Sequence, residues 1–122
     1  MAKIVFCEDS PVIQKLIGLA LRATAHEVHF AADGAEGLAL IERERPDLVF
    51  TDVWMPNLDG YQLADALKAR PDLAHIPIII MTASGDQAQL DEAYRHGATG
   101  HVAKPFAAAA LRAKVDELAA GG

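Results

Sequence analysis

The sequence predicts an α/β fold: a five-stranded parallel sheet with helices on both faces. Three observations predict it. Short, β-rich apolar runs alternate five times with segments of helical periodicity along 122 residues. The run Ile78-Ile79-Ile80 is apolar without alternation, as in a strand covered on both faces. Capping residues or a proline mark where helical segments begin and end.

Each element has its own justification. Lys3–Cys7 reads as the first strand. Ser10 then offers an N-cap, with Pro11 at the first helical position, where a missing N–H is harmless. Ile13, Leu16, Ile17, Ala20 and Leu21 form one apolar stripe at helical spacing. Glu27–Ala31 is the second strand. Asp33 caps a second helix, Glu36 completes a capping box, and Pro46 ends that helix at Glu44 or Arg45. Asp47–Thr51 is the third strand, and the loop Val53-Trp54-Met55-Pro56-Asn57-Leu58 follows Asp52. Asp59 and Gln62 open a third helix that runs to about Ala69. Pro77–Thr82 is the fourth strand, and Ser84 with Gln87 caps a fourth helix that ends near Gly97. Thr99–Ala103 is the fifth strand. Ala107–Ala119 is the last helix, with Leu111, Val115 and Leu118 inward.

The length fits one domain, residues 1–122, and 52% apolar residues suffice for a core at this size. No apolar run is long enough to span a bilayer, so no membrane contact is expected. The apolar start Ile4–Cys7 is too short for a signal sequence and meets Glu8-Asp9 at once. A lone cysteine, Cys7, excludes an internal disulfide and suits a reducing, cytoplasmic location; its expected role is a small buried apolar side chain. A net charge of −6 argues against general nucleic-acid binding, which needs a basic face. His26, His29, His75 and His96 read as surface or helix-end residues, with no second ligand at metal spacing. The Ala119-Ala120-Gly121-Gly122 end reads as a frayed terminus or as a cut where a longer protein continues.

In open parallel sheets, ligands bind beyond the carboxyl ends of the strands. The chemistry is therefore expected at the ends marked by Cys7, Thr51, Thr82 and Ala103, and those four places hold Glu8-Asp9, Asp52, Thr82 and Lys104. Three carboxylates brought together repel one another unless a cation lies among them. Hard oxygen donors with room for water suit Mg²⁺. One carboxylate can then attack phosphorus to form an acyl phosphate, with an ammonium and a hydroxyl to stabilise the phosphoryl oxygens.

These segments resemble the receiver domains of bacterial response regulators in two-component signalling, near the length of the single-domain chemotaxis type. The resemblance runs from Ile4 to about Leu118. Glu8-Asp9, Asp52-Val53-Trp54-Met55-Pro56 with Asp59-Gly60, Met81-Thr82-Ala83 and Lys104-Pro105-Phe106 carry it. It implies a flavodoxin-like (βα)5 doubly wound sheet of strand order 2-1-3-4-5. It implies that Asp52 is the phosphoacceptor, taking a phosphoryl group from a histidine kinase or histidine phosphotransfer protein. Asp9, Asp52 and the Trp54 backbone carbonyl would hold Mg²⁺ or Mn²⁺, with Glu8 acting directly or through water. Thr82, Ala83 and Lys104 would bind the phosphoryl group, His101 would occupy the switch position, and the bond before Pro105 would be cis. Trp54 and Ser84 would occupy positions that set the dephosphorylation rate. Phosphorylation would bias a surface of the fourth helix, fifth strand and fifth helix that meets a downstream protein. Homodimerisation on phosphorylation also occurs in such domains, and no turnover of a separate substrate is expected.

Three positions depart from that pattern: Glu8, where Asp is common; His101, where Tyr or Phe is usual; and Trp54, where smaller or polar residues are frequent. Rival functions fit less well. A phosphatase of the haloacid dehalogenase type needs a second Asp two residues after its nucleophile, and that position is Trp54. A flavodoxin-like cofactor binder needs a Ser/Thr/Gly-rich phosphate loop after the first strand, where Glu8-Asp9 would repel a phosphate; a nucleotide P-loop is also missing. A receiver that is never phosphorylated would not need the intact Asp52, Thr82 and Lys104 set.

Overall fold

The computed structural model describes residues 2–83 and 86–121. Five strands, β1 (Lys3–Cys7), β2 (Glu27–Ala31), β3 (Leu48–Asp52), β4 (Ile78–Ala83) and β5 (Gly100–Lys104), alternate with five helices. The helices are α1 (Pro11–Leu21), α2 (Gly34–Glu44), α3 (Gly60–Lys68), α4 (Gln87–Arg95) and α5 (Ala108–Gly121). The strands form one sheet of order β2-β1-β3-β4-β5, and every pairing is parallel.

Alternate residues of each central strand feed two separate cores, as the two-residue strand period requires. Val5, Cys7, Val49, Ile78 and Ile80 pack with Leu40 and Ile41 of α2, Leu63 and Leu67 of α3, and Ala93 of α4. Ile4, Phe6, Leu48, Phe50, Ile79 and Met81 pack with Ile17 and Leu21 of α1 and with Leu111 and Val115 of α5. Phe6 stacks on Phe50 with ring centroids 4.7 Å apart. Right-handed crossovers explain the division. The chain moves one way from β1 to β2, then the other way through β3, β4 and β5, so α1 falls on the opposite face from α2, α3 and α4. That reversal opens a crevice between the carboxyl ends of β1 and β3.

Several sequence expectations need correction. Leu16 is 50% exposed; it belongs with Val12 and Leu19 to a second, outward stripe of a helix that is apolar on two sides. The third strand runs one residue later than expected: Asp47 N donates to Lys3 O at 2.7 Å, but Lys3 N turns to the Asp47 carboxylate at 2.8 Å, and the strand proper begins at Leu48. Asp33 caps Glu36 N, but the full reciprocal capping box forms at α3, between Asp59 and Gln62. The expected cap Ser84 lies outside the described residues. α4 begins at Gln87, capped by Asp86, whose carboxylate accepts from Gln89 N at 3.0 Å.

His29 also departs from expectation, since ligand atoms of Glu27, His29 and Glu44 lie within 4.8 Å of one another. Lys3 Nζ sits 3.4 Å from Glu44 Oε1 and 3.9 Å from Glu27 Oε2, so an ammonium already supplies the counter-charge there. Among the described residues, no helix is long and apolar enough to cross a membrane.

Candidate functional site

Each strand end delivers one part of the site. The backbone N–H of Glu8 donates to Ala31 O at 2.9 Å, extending the β1–β2 ladder by one residue and turning the Glu8 side chain into the interior. There it is 1% exposed. Ser10 N, at the N-cap of α1, donates to Glu8 Oε2 at 3.1 Å and holds the carboxylate, while Gln14 Nε2 donates to the Glu8 backbone carbonyl at 2.6 Å. Asp9 follows in the exposed connection to α1.

Asp52 is the last residue of β3 and is 7% exposed. Ligand oxygens of Glu8, Asp9 and Asp52 all lie within 4.8 Å of one another. Lys104 ends β5 on the far side of β4, yet its ammonium reaches across, 2.7 Å from Glu8 Oε1 and in direct contact with Asp52 Oδ1. The cleft is lined by these residues together with Ser10, Ile13, Val53, Trp54, Met81, Ala83, Gln89 and Pro105. The Lys104–Pro105 bond is cis. Thr82 stands at the same edge but is 3% exposed and is not among the cleft-lining residues.

The remaining sequence-selected residues lie farther out. Trp54 is 68% exposed at the rim, edge-to-face with Tyr61 at 5.9 Å. His101 is exposed on β5, its Nδ1 2.8 Å from the Tyr94 hydroxyl. Ser84 lies outside the described residues.

Electrostatics follow from burial. Burial pushes the Asp52 carboxyl up to about 8; the hydrogen-bonded Glu8 carboxyl adds to this and the Lys104 ammonium opposes it. For Glu8, burial pushes upward but is outweighed by hydrogen bonds with Asp52, Lys104 and the Ser10 amide, so its carboxyl lies below the ordinary range. Burial and the neighbouring Glu8 carboxyl thus favour the protonated form of Asp52, and a divalent cation among these oxygens would favour its carboxylate. The donor set fits such a cation: hard carboxylate oxygens within 4.8 Å of one another, with Asp9 on an exposed side. Beneath the site, burial pushes the Cys7 thiol up to about 12, which fits an inert packing residue.

Two supports escaped the sequence reading. Asp33, read only as a cap, also accepts from Asn57 Nδ2 at 2.8 Å, which ties the loop after β3 to the start of α2. Asn57 has φ 69°, a left-handed conformation in which Asn is favoured, and the Pro56-Asn57 turn signal could have pointed to it. The loop's far end closes on Gly60, where a Cβ would fall 2.2 Å from the Asp52 carbonyl. Gln89 was missed because which turn of α4 faces the cleft depends on where that helix starts.

Known proteins share this fold. The "Probable transcriptional regulator ycf27" of Cyanophora paradoxa is 39% identical over 116 residues, covering 95% of this chain and 47% of the relative. The chain spans about half the length of the curated relatives it matches. The chemotaxis response regulator CheY4 of Vibrio cholerae superposes with a TM-score of 0.90 at 30% identity, covering 97% of this chain and 98% of that one. The receiver domain of a sensor histidine kinase from Pseudomonas aeruginosa superposes with a TM-score of 0.87 at 32% identity, covering 96% of each chain. That structure has a magnesium ion coordinated in its active-site cleft. Residues 4–116 match the response regulator receiver domain, leaving only the two ends of the chain outside the match. The chain therefore belongs to the response regulator receiver domain family of two-component signalling.

Proposed function

We propose that the chain, as one domain of residues 1–122, is a phosphoacceptor switch in which Asp52 takes a phosphoryl group from a phosphohistidine of a kinase or phosphotransfer protein. The N–P bond breaks with its electron pair left on the donor imidazole, and an O–P bond forms to the Asp52 carboxylate. The observation that carries this reading is the meeting of Glu8, Asp9, Asp52 and Lys104, which come from three separate strand ends, at one edge of the sheet.

Asp9, Asp52 and the Trp54 carbonyl would hold Mg²⁺ or Mn²⁺, with Glu8 supporting them directly or through water. A bound divalent cation supplies charge neutralisation among the carboxylates and the transferring oxygens. Lys104, freed from Asp52 Oδ1, pairs with a phosphoryl oxygen while keeping its contact to Glu8. The Ala83 amide and the Thr82 hydroxyl take the other oxygens. Thr82 starts buried beside the cleft, so its turn toward the phosphoryl group leaves room near β5, where His101 pairs with Ile80 in register. The surface of α4, β5 and α5 then reads out the change to a protein partner, in the reducing cytoplasm to which a lone buried thiol is suited.

Incubation with acetyl phosphate and Mg²⁺ tests the reading. The expected result is a mass gain of one phosphoryl group that is lost in Asp52→Asn. Asp9→Ala should weaken Mg²⁺ binding by at least about tenfold, loss of a charged ligand being the reason. Phosphorylation that persists in Asp52→Asn, or wild-type Mg²⁺ affinity in Asp9→Ala, overturns it.

A further inference from the structure

His96 follows α4 as its C-cap and faces α3. Its ring presents a nitrogen to a carboxylate on each side: Nδ1 is 2.6 Å from Asp65 Oδ1 of α3, and Nε2 is 2.9 Å from Glu92 Oε1 of α4. A neutral imidazole has one N–H, so one of these contacts would set a lone pair against a carboxylate oxygen. Only the imidazolium donates to both. The site favours that cation in two further ways. The ring lies over Tyr61, with centroids 5.1 Å apart and planes 21° from parallel. It also caps the negative end of the α4 dipole.

The same group of residues reaches the cleft. The Tyr61 hydroxyl donates to the Gln89 carbonyl at 3.2 Å, and Gln89 lines the cleft with Asp52. Within Gln87–Arg95 only Ala93 is buried, so apolar packing holds α4 weakly and polar contacts to α3 matter more than usual. Other charged groups near the ring are already engaged. Arg95 donates to Glu92 Oε2, and the Lys68 stem passes Gly97 while its ammonium donates to the Ala74 carbonyl at 2.9 Å.

We propose that His96 is a pH-dependent clasp: protonated, it bridges Asp65 and Glu92 and pins α4 against α3; deprotonated, it gives up one of the two contacts and loosens the α4 wall of the cleft. The Asp65 contact raises the imidazole above its ordinary 6.5, burial works against this, and Glu92 adds to it. The clasp is therefore closed below the ordinary histidine range and opens as pH climbs through the raised value.

Two measurements on the unphosphorylated chain test this, so their failure is separate from failure of the phosphoacceptor reading. Imidazole NMR should show His96 titrating above 6.5, with both ring nitrogens protonated at pH 6. Amide exchange over α4, corrected for intrinsic rates, should speed up by about threefold across that same transition, the scale of one partly exposed ion pair. In H96Q the α4 exchange should lose its pH dependence and resemble the open form of wild type. D65N should lower the His96 transition and move the exchange step with it. A His96 that titrates at or below 6.5, or α4 protection that is flat across its titration, overturns the clasp.

Discussion

At the scale of the residue, Trp54 is the side chain whose chemistry is least expected where it stands. Its indole borders the cleft yet is 68% exposed, propped edge-to-face by Tyr61. On the proposed function, a large apolar ring at the rim would limit the approach of water to a phosphoryl group on Asp52. Trp54→Asn should therefore shorten the lifetime of phospho-Asp52 by at least about twofold, because a small polar side chain opens the path and can orient a water. The decay of the phosphorylated mass species in the two proteins measures this. An equal or longer lifetime in the mutant refutes the shielding role. Glu8 and Lys104 contrast with Trp54: two residues 96 apart in sequence form one of the most buried ion pairs of the molecule, with Glu8 fixed from behind by the Ser10 amide.

At the scale of the element, the loop between β3 and α3 shows how a flexible-looking segment is held. Asn57 bonds Asp33 while adopting a left-handed backbone, and Gly60 N donates to Val53 O at 2.7 Å. Asn57→Ala loses the hydrogen bond and places a Cβ in the left-handed region, a combined cost of about 1–3 kcal/mol. Asn57→Gly removes only the hydrogen bond and should cost about 1 kcal/mol or less. Urea unfolding of both variants checks the ordering; a glycine variant less stable than the alanine variant would show that the backbone angle is not what Asn57 supplies. The strand-end residues were legible in sequence because each needs only its own strand's register. The Asn57–Asp33 tie, the Tyr61–His96 stack and the Asp86 cap were not, since each depends on how two elements sit together or on where one begins. Leu16 was misread for a related reason: a helix apolar on two sides does not declare which side the sheet takes.

At the scale of the whole molecule, the sheet order could be anticipated from the family resemblance, and the two-sided burial of the Ile78–Ile80 run from its composition. The polar network at the opposite end of the sheet left no comparable pattern. Asp72, in the turn before β4, accepts from Arg70 at 3.0 and 3.1 Å and from Arg45 at 2.8 Å, and Arg70 also pairs with Glu42. These contacts join the end of α2 to the α3–β4 connection. The Arg70 hydrogen bonds, opposed by desolvation and helped by Arg45, hold the Asp72 carboxyl down at about 2, below its ordinary 3.8. A carboxyl depressed on folding stabilises the folded chain above its unfolded value, and that stability is lost as pH falls toward the folded value. The window is therefore pH 4 down to 2. Across it, wild-type stability should decline more steeply than that of Asp72→Asn, which has no charge to lose. Urea midpoints at pH 4, 3 and 2 provide the comparison, and the difference between the two proteins removes the contributions of the other carboxylates common to both. Added salt should narrow the gap, because the network is exposed and its ion pairs are screened. Parallel pH profiles at low salt would mean that the arginines do no more for Asp72 than solvent does.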